Sequence, residues 1–303
     1  MVIHRLLRAF ISAGFSAYII YLVKSDALQF YIAPRMEIFV KLSAVVLALF
    51  AVVQLFSAFV FRSGRQADCG CDHPPSPSLV RNAIAYGLLL SPLVLGYFLP
   101  DIALGSELVD KKGIVLSRSE PRTSDSVAAP SPERAPFAQS ESESLSDEEL
   151  RNTFITGDLY EDQYAGLAVA LMKQDPMIVS EESFLEIITT IDLFMDRFVG
   201  KRVQIEGFVY RAEEMSPDEF VVARMAMDCC SADATPYGFL VQSDSASLLA
   251  EDTWIRVAGT VRTTDWDGFE IVKLESAEIE NIESPATPYV YPNYEALEEV
   301  ALD

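Results

Sequence analysis

Apolar residues run along this 303-residue chain in two patterns that do not overlap. Near the N-terminus they form long blocks. A hydrocarbon core about 30 Å thick takes roughly 20 mostly apolar residues to cross as helix. Three stretches meet that length: Leu6 to Val23, Ile38 to Phe61 and Ala83 to Leu99. Lys41 and Gln54 interrupt the second, Gly87 and Pro92 the third. Arg8 lies at the end of the first, where it can snorkel, and Tyr18 and Tyr21 fall near the opposite interface. A cleavable signal peptide competes for the first stretch. No small-residue cleavage site follows Val23 and further spans come after it, so a span is the better account.

From Ile178 onward the apolar runs are short, alternating or bounded by turn residues. They predict strands at 184–190, 202–210, 219–227, 238–243, 254–262 and 269–279, with helical turns at 192–199 and 246–251. Three strands, a short helix and two more strands, the first carrying a glycine that lets it coil, is the order of an OB-type barrel. A small sandwich would share the pattern. Residues 147–174 show helix-like apolar spacing and predict one or two short helices. The stretch from Ser117 to Ser146 is rich in Ser, Pro and Glu and too poor in large apolar residues to bury a core, so it reads as a linker. The expected organisation is a membrane α-helical anchor of three spans over 1–105, a disordered acidic Ser/Pro-rich linker over 106–146, a short helical segment over 147–177 and a mainly β, OB-like barrel domain over 178–303.

Charge sharpens this division. The first 100 residues hold 8 Lys/Arg and 4 Asp/Glu, and the remaining 203 hold 15 basic and 41 acidic side chains, so the grease and the charge are segregated. A field of that sign repels phosphate backbones and argues against nucleic acid as a partner; the lipid bilayer is the partner the spans imply. Orientation follows from basic residues beside the spans, because cytoplasmic loops are enriched in Lys and Arg. Arg5 and Arg8 flank the first span, and Arg62, Arg65 and Arg81 fill the second loop, against Lys24 and Arg35 in the first. This bias predicts a multi-pass plasma (inner) membrane protein with a cytoplasmic N-terminus and an extracytoplasmic C-terminal domain, although Lys111 and Lys112 pull the other way.

Two clusters could carry chemistry. Cys69, Cys71, Asp72 and His73, in the second loop, gather the ligand types that a divalent metal such as zinc prefers, around a Gly70 that lets the loop wrap. Their spacing matches no structural zinc module closely, and a solvated polar loop is the plainer reading. Asp228, Cys229, Cys230 and Asp233 follow the second barrel strand, near a barrel rim. Adjacent cysteines can give thiolates to a metal or form a vicinal disulfide, with Asp228 and Asp233 as oxygen ligands; they can equally be small residues packed at a barrel mouth. Side chains adjacent on an extended strand point to opposite faces, so at least one sulfur is expected near the surface. A catalytic centre is not expected: His4 and His73 are the only histidines, both in the membrane region, and no phosphate-binding glycine loop is present.

Three spans, a Cys/His loop, a Ser/Pro linker, then KRVQIEGFVYR, FVVARMAMDCCSADATPYGFLV, WIRVAGTV and PYVYPNY together resemble the YcgQ-like family (DUF1980), whose members are described as subunits of a two-component membrane permease. The pattern R-x-x-x-x-CC-x-AD-A-x-P, from Arg224 to Pro236, is the most specific part of the resemblance. It implies a multi-spanning permease of the DUF318 type as partner and leaves the substrate open. The expected function is an integral membrane accessory subunit that presents an acidic domain outside the cytoplasm, not an enzyme. A membrane-bound metal-handling or thiol-redox protein acting on its own is the alternative.

The topology is directly testable. A reporter enzyme that works only outside the cytoplasm, fused after Asp303, should be active; activity from a reporter that works only in the cytoplasm would reverse the orientation.

Overall fold

The computed structural model describes residues 2–60, 78–99, 101–116 and 146–297. Cys69, Cys71, Asp72 and His73, and the linker residues 117–145, lie outside the described residues. The chain divides into two compact units, residues 1–103 and 104–303.

The first unit holds three helices, α1 (Val2–Lys24), α2 (Glu37–Val60) and α3 (Leu79–Phe98). Each contains a stretch long and apolar enough to cross a membrane. Their large apolar side chains are mostly exposed, as befits surfaces whose solvent is lipid. Small residues let α1 and α3 approach: a Cβ on Gly14 would meet Leu93 at 2.8 Å, and one on Gly96 would meet the Tyr18 hydroxyl at 2.6 Å. Polar groups between the helices are paired. Ser16 Oγ donates to the Ala44 carbonyl at 2.8 Å, Tyr18 OH to the Gly96 carbonyl at 3.0 Å, and His4 Nδ1 lies 3.1 Å from Tyr86 OH.

The second unit is mainly β. Its seven strands are β1 (Met177–Ile178), β2 (Arg202–Tyr210), β3 (Glu219–Ala226), β4 (Thr235–Gln242), β5 (Trp254–Trp266), β6 (Phe269–Asn281) and β7 (Tyr289–Val290), in one sheet of order β1-β2-β5-β6-β4-β3-β7. Antiparallel pairing joins β2 to β5, β5 to β6 and β4 to β3, and β4 runs parallel to β6. β2 pairs with β3 as well, so the ladders of five strands return to where they began. β2 changes partner at Phe208: residues 202–208 pair with β5 and residues 208–210 with β3. Gly207 stands at that switch, where a Cβ would overlap the Ala223 carbonyl, and Gly238 in β4 makes the same close approach to the Val222 carbonyl. The β5–β6 hairpin closes through Asp267 and Gly268 at φ of 52° and 81°, the left-handed pair that a two-residue turn requires.

Among the described residues six α-helices accompany this sheet, and four of them share its core. They are α4 (Ser106–Lys112), α5 (Asp147–Asn152), α6 (Leu159–Asp162), α7 (Ala165–Met172), α8 (Phe184–Leu193) and α9 (Met195–Phe198). Leu150, Phe154, Leu171, Ile191 and Phe198 pack in one cluster with Val203, Ile205, Phe220, Phe239 and Val272. Residues 147–174 therefore form three short helices where one or two were expected. Residues 106–116, inside the expected linker, are structured because Val109 and Leu116 find buried places and Val115 bridges to Tyr237.

The strand expected at 184–190 is instead the helix α8. Its β-branched run favours extended chain locally, but Phe184, Ile187, Ile188 and Ile191 recur at helical spacing and are all buried. Seven residues were too few to show that period against local propensity.

Overpacking a site that has no room for a side chain typically costs about 1–3 kcal/mol. Gly238→Val should therefore lower the thermal unfolding midpoint of the second unit, read by circular dichroism on the detergent-solubilised chain; an unchanged midpoint would show that β3 and β4 do not approach as described.

Candidate functional site

The site begins where β3 ends. Met227 N–H donates to the Val290 carbonyl at 3.0 Å, which ties the strand end to β7, and the chain then turns before β4 starts at Thr235. The turn closes through Asp233 N–H, which donates to the Cys230 carbonyl at 3.0 Å. The Asp233 carboxylate gathers the loop around itself: it accepts the N–H of Asp228 at 2.9 Å, of Cys229 at 2.8 Å and of Cys230 at 3.0 Å. Successive amides converging on one carboxylate form an anion-holding concavity, here filled by the protein's own side chain. From outside the loop, Lys112 of α4 donates to the carbonyls of Ala232 and Ala234, each at 2.8 Å.

This turn decides where the sulfurs go. Cys229 and Cys230 do not point to opposite faces, because the backbone is not extended there. Both are half-buried free thiols with Sγ atoms 3.7 Å apart. Among the described residues, Cys229, Cys230 and Asp233 are the one group of three metal-ligating side chains whose ligand atoms all lie within 4.8 Å of one another. Asp228 is exposed and stands outside that group; it contributes its N–H instead.

Electrostatics couples the members. A hydrogen bond to the Asp233 carboxylate, followed by one with Cys230, pushes the Cys229 thiol up to about 12. Burial alone would raise the Asp233 carboxyl, but the Cys229 thiol and the three backbone N–H groups outweigh it and hold the carboxyl at about 2. At neutral pH the loop thus carries an ionised carboxylate beside a protonated thiol. Two thiols and a carboxylate are three ligands of the kind zinc takes. Binding would release the thiol protons, so affinity rises with pH.

Reading the chain alone gave no role to three nearby residues. Arg224, only 2% exposed, stands across an apolar strand: its Nη2 donates to the Thr287 carbonyl at 3.1 Å and lies 3.7 Å from Glu181, while the guanidinium sits 5.0 Å from the Trp254 ring centroid. Burial lowers its pKa, opposed by Glu181 and Glu206. A lone charge within the run FVVARMAM is a visible signal for it. Lys112 gave none, since its partners are backbone carbonyls more than a hundred residues away. Glu186 is buried within α8, over residues whose apolar pattern predicts a strand.

The depressed Asp233 pKa fixes the sign of one prediction. Its stabilising contribution is complete above the ordinary carboxylate range and is lost as pH falls from about 4 toward 2. Asp233→Asn should remove the part of the acid-unfolding curve that lies in this window. The same change takes away the charge that raises the Cys229 thiol, so the pH midpoint for alkylation of Cys229 should move down; an unmoved midpoint would mean that Asp233 does not control the thiol.

Comparison with known proteins spans both units. The DUF1980 N-terminal domain matches residues 7–115 and the DUF1980 C-terminal domain matches residues 154–292. The chain is 24% identical over 215 residues to UPF0703 protein YcgQ of Bacillus subtilis, covering 70% of this chain and 69% of that one. It is 20% identical over 206 residues to a protein of Streptococcus mutans serotype c named as a subunit of a two-component membrane permease complex, covering 67% of this chain and 72% of that one. The matched regions hold all three spans, the closed run of strands and the Cys-Cys-Asp loop between them, and the chain belongs to the DUF1980 family.

Proposed function

We propose that this chain is an integral membrane accessory subunit of a two-component permease, working beside a multi-spanning permease of the DUF318 type and without an enzymatic step of its own. In this reading the second unit is an acidic OB-like barrel held outside the cytoplasm. It captures a thiophilic divalent metal such as zinc at Cys229, Cys230 and Asp233 and presents it to the permease. The Streptococcus mutans relative's name supports the subunit role, and the three apolar helices supply the anchor. The strand sequence β2-β3-β4, a one-turn 3-10 helix at Ala246–Leu248, then β5-β6, with β2 joined to both β3 and β5, supports the barrel, whose rim loops are the usual ligand sites of such folds.

One observation carries the metal capture: two adjacent thiols and a carboxylate converge within 4.8 Å in a half-buried turn. Two neighbouring cysteines on a regular strand would not do this. The 3.7 Å separation of the sulfurs favours one second reading, a thiol-redox protein acting on its own, in which the pair gives up two electrons and two protons to an acceptor and closes a vicinal disulfide.

A tagged chain carrying Cys69→Ser and Cys71→Ser, so that only the loop after β3 counts, should be purified from detergent-solubilised membranes of cells that also make the permease. It should bring down the permease and hold stoichiometric zinc. Adding Cys229→Ser and Cys230→Ser should abolish the zinc and leave the permease bound. Zinc retained at the parent level defeats the metal site; absence of a multi-spanning partner in the parent defeats the subunit role and leaves the stand-alone reading.

A further inference from the structure

The first unit holds a cavity of its own. A volume of about 600 Å³ opens between α1, α2 and α3, within the roughly 300–1,000 Å³ of sites that take up whole small molecules. Its wall has two kinds of surface. Arg8, Ser12 and Asn82 bring polar groups from the N-terminal halves of α1 and α3, and Phe15, Leu47 and Phe50 bring apolar ones from α1 and α2. Arg5 meets Ser57 and Ser16 meets Ala44, so Leu47 and Phe50 lie level with the stretch of α1 beyond Arg8, toward the middle of the span. No acidic side chain lines the cavity.

Two polar groups on this wall are unsatisfied, and both can be reached. Arg8 is exposed, and its guanidinium has neither a hydrogen bond nor an ion pair among the described residues. Arg5, by contrast, is committed to the Ser57 carbonyl at 3.3 Å. Ser12 is only 9% exposed and its hydroxyl has no hydrogen-bond partner among the described residues, yet its oxygen is not one of the sealed polar atoms. Arg8 and Ser12 stand four residues apart and so share one face of α1. The first unit's described carboxylates cannot neutralise the arginine. Asp26, Glu37 and Asp101 all lie at the opposite ends of the helices, and Asp26 is roughly 25 Å from Arg8 along the axis. An unpaired cation on a span is costly and marks a place where an anion arrives.

We infer that this cavity seats one anionic phospholipid, its phosphate on the Arg8 guanidinium and the Ser12 hydroxyl and an acyl chain along Phe15, Leu47 and Phe50. Basic pockets between spans are suited to anionic headgroups, and a guanidinium offers the donor fork that phosphate oxygens accept. The two-ended wall selects an amphiphile. A free phosphate would satisfy Arg8 and leave the rings and Leu47 uncovered, whereas an uncharged lipid would cover them and leave the arginine unpaired. With no carboxylate on the wall, the positive charge is available to the ligand alone. The inference rests on the three helices being membrane spans and owes nothing to the Cys-Cys-Asp loop, which belongs to the other unit.

The test titrates the full-length chain in detergent with dioleoyl phosphatidylglycerol and, in parallel, with dioleoyl phosphatidylcholine and glycerol 3-phosphate, counting bound lipid by native mass spectrometry. Phosphatidylglycerol should saturate at one per chain, bind about tenfold or more tightly than phosphatidylcholine, and resist displacement by glycerol 3-phosphate. Arg8 is exposed, so Arg8→Gln spares the fold; it should weaken phosphatidylglycerol by about tenfold or more, as loss of a charge-assisted contact does, and erase the preference. Ser12→Ala should weaken it severalfold. Arg81→Gln removes the same charge from the start of α3, outside the cavity wall, and should change nothing. Equal affinity for the two lipids, displacement by glycerol 3-phosphate, or an Arg81→Gln loss as large as that of Arg8→Gln overturns the assignment. So does an Arg8→Gln chain that binds lipid as before and no longer brings down the permease, which would make the cavity a docking face for a partner helix.

Discussion

The double partnership of β2 is the constraint on which the second unit rests. A strand that pairs with β5 through its first seven positions and with β3 through its last three must bend sharply between them. Only a residue without a side chain can stand at the bend, because a Cβ at position 207 would overlap the Ala223 carbonyl. Once β2 has turned, β3 is fixed against it, β4 against β3 and β6 against β4, and the two strand edges that a flat sheet would expose are used up within the fold. The helices then cover a surface whose shape is already set. The turn after β3 falls at the limit of the sheet, where the regular ladder has ended and the chain bends at Asp228 and Cys229, so it can be shaped by side chains.

That freedom explains why the loop's chemistry and its geometry cannot be separated. Adjacent cysteines become neighbours in space only if the backbone turns, and the turn is held by the carboxylate that also lies beside both sulfurs. Asp233 accepts three consecutive N–H groups, satisfying donors that would otherwise be lost at a strand end, and in the same arrangement it faces the Cys229 thiol. An alanine there would remove a candidate ligand and release the loop together. Lys112 adds a hold that does not pass through Asp233, because it grips the carbonyls on either side of that residue.

Much of this was legible in the chain, and the reasons differ by element. The three spans were plain because a twenty-residue apolar block has few other uses. Strands β2 to β6 were found nearly in place because their apolar runs end at turn residues, although the β5–β6 hairpin is longer than its apolar pattern: beyond Val261 the strand continues through Thr263, Thr264 and Asp265, which pair across the hairpin without burying a face. α8 was lost because a buried helix shows no polar face, and its isoleucines and threonines then speak only for extended chain. The cysteines and aspartates were marked by type and proximity. Glu186 and Lys112 could not be, since the meaning of each depends on contacts with residues far away in sequence.

The 45 acidic side chains invite the view that charge alone recruits cations to this protein, but the geometry separates two populations. Most of the described carboxylates face water, and those in ion pairs, such as Glu206 and Glu280 with Arg256 or Glu278 with Arg202, are substantially exposed and worth little individually. A solvated carboxylate already has its hydrogen bonds, so a cation must strip water from both partners to gain a contact. Asp233 and Glu186 are different because the fold has already done the stripping. The first is held ionised by backbone N–H groups with a thiol against it, and the second is buried with one oxygen unpaired. The long-range field of the acidic surface raises the local concentration of cations and so their rate of arrival, while screening by salt limits how far it reaches. Asp233, fixed by backbone N–H groups, would meet a cation without rearranging, and the two sulfurs beside it would favour a thiophilic ion over the hard cations that surface carboxylates attract.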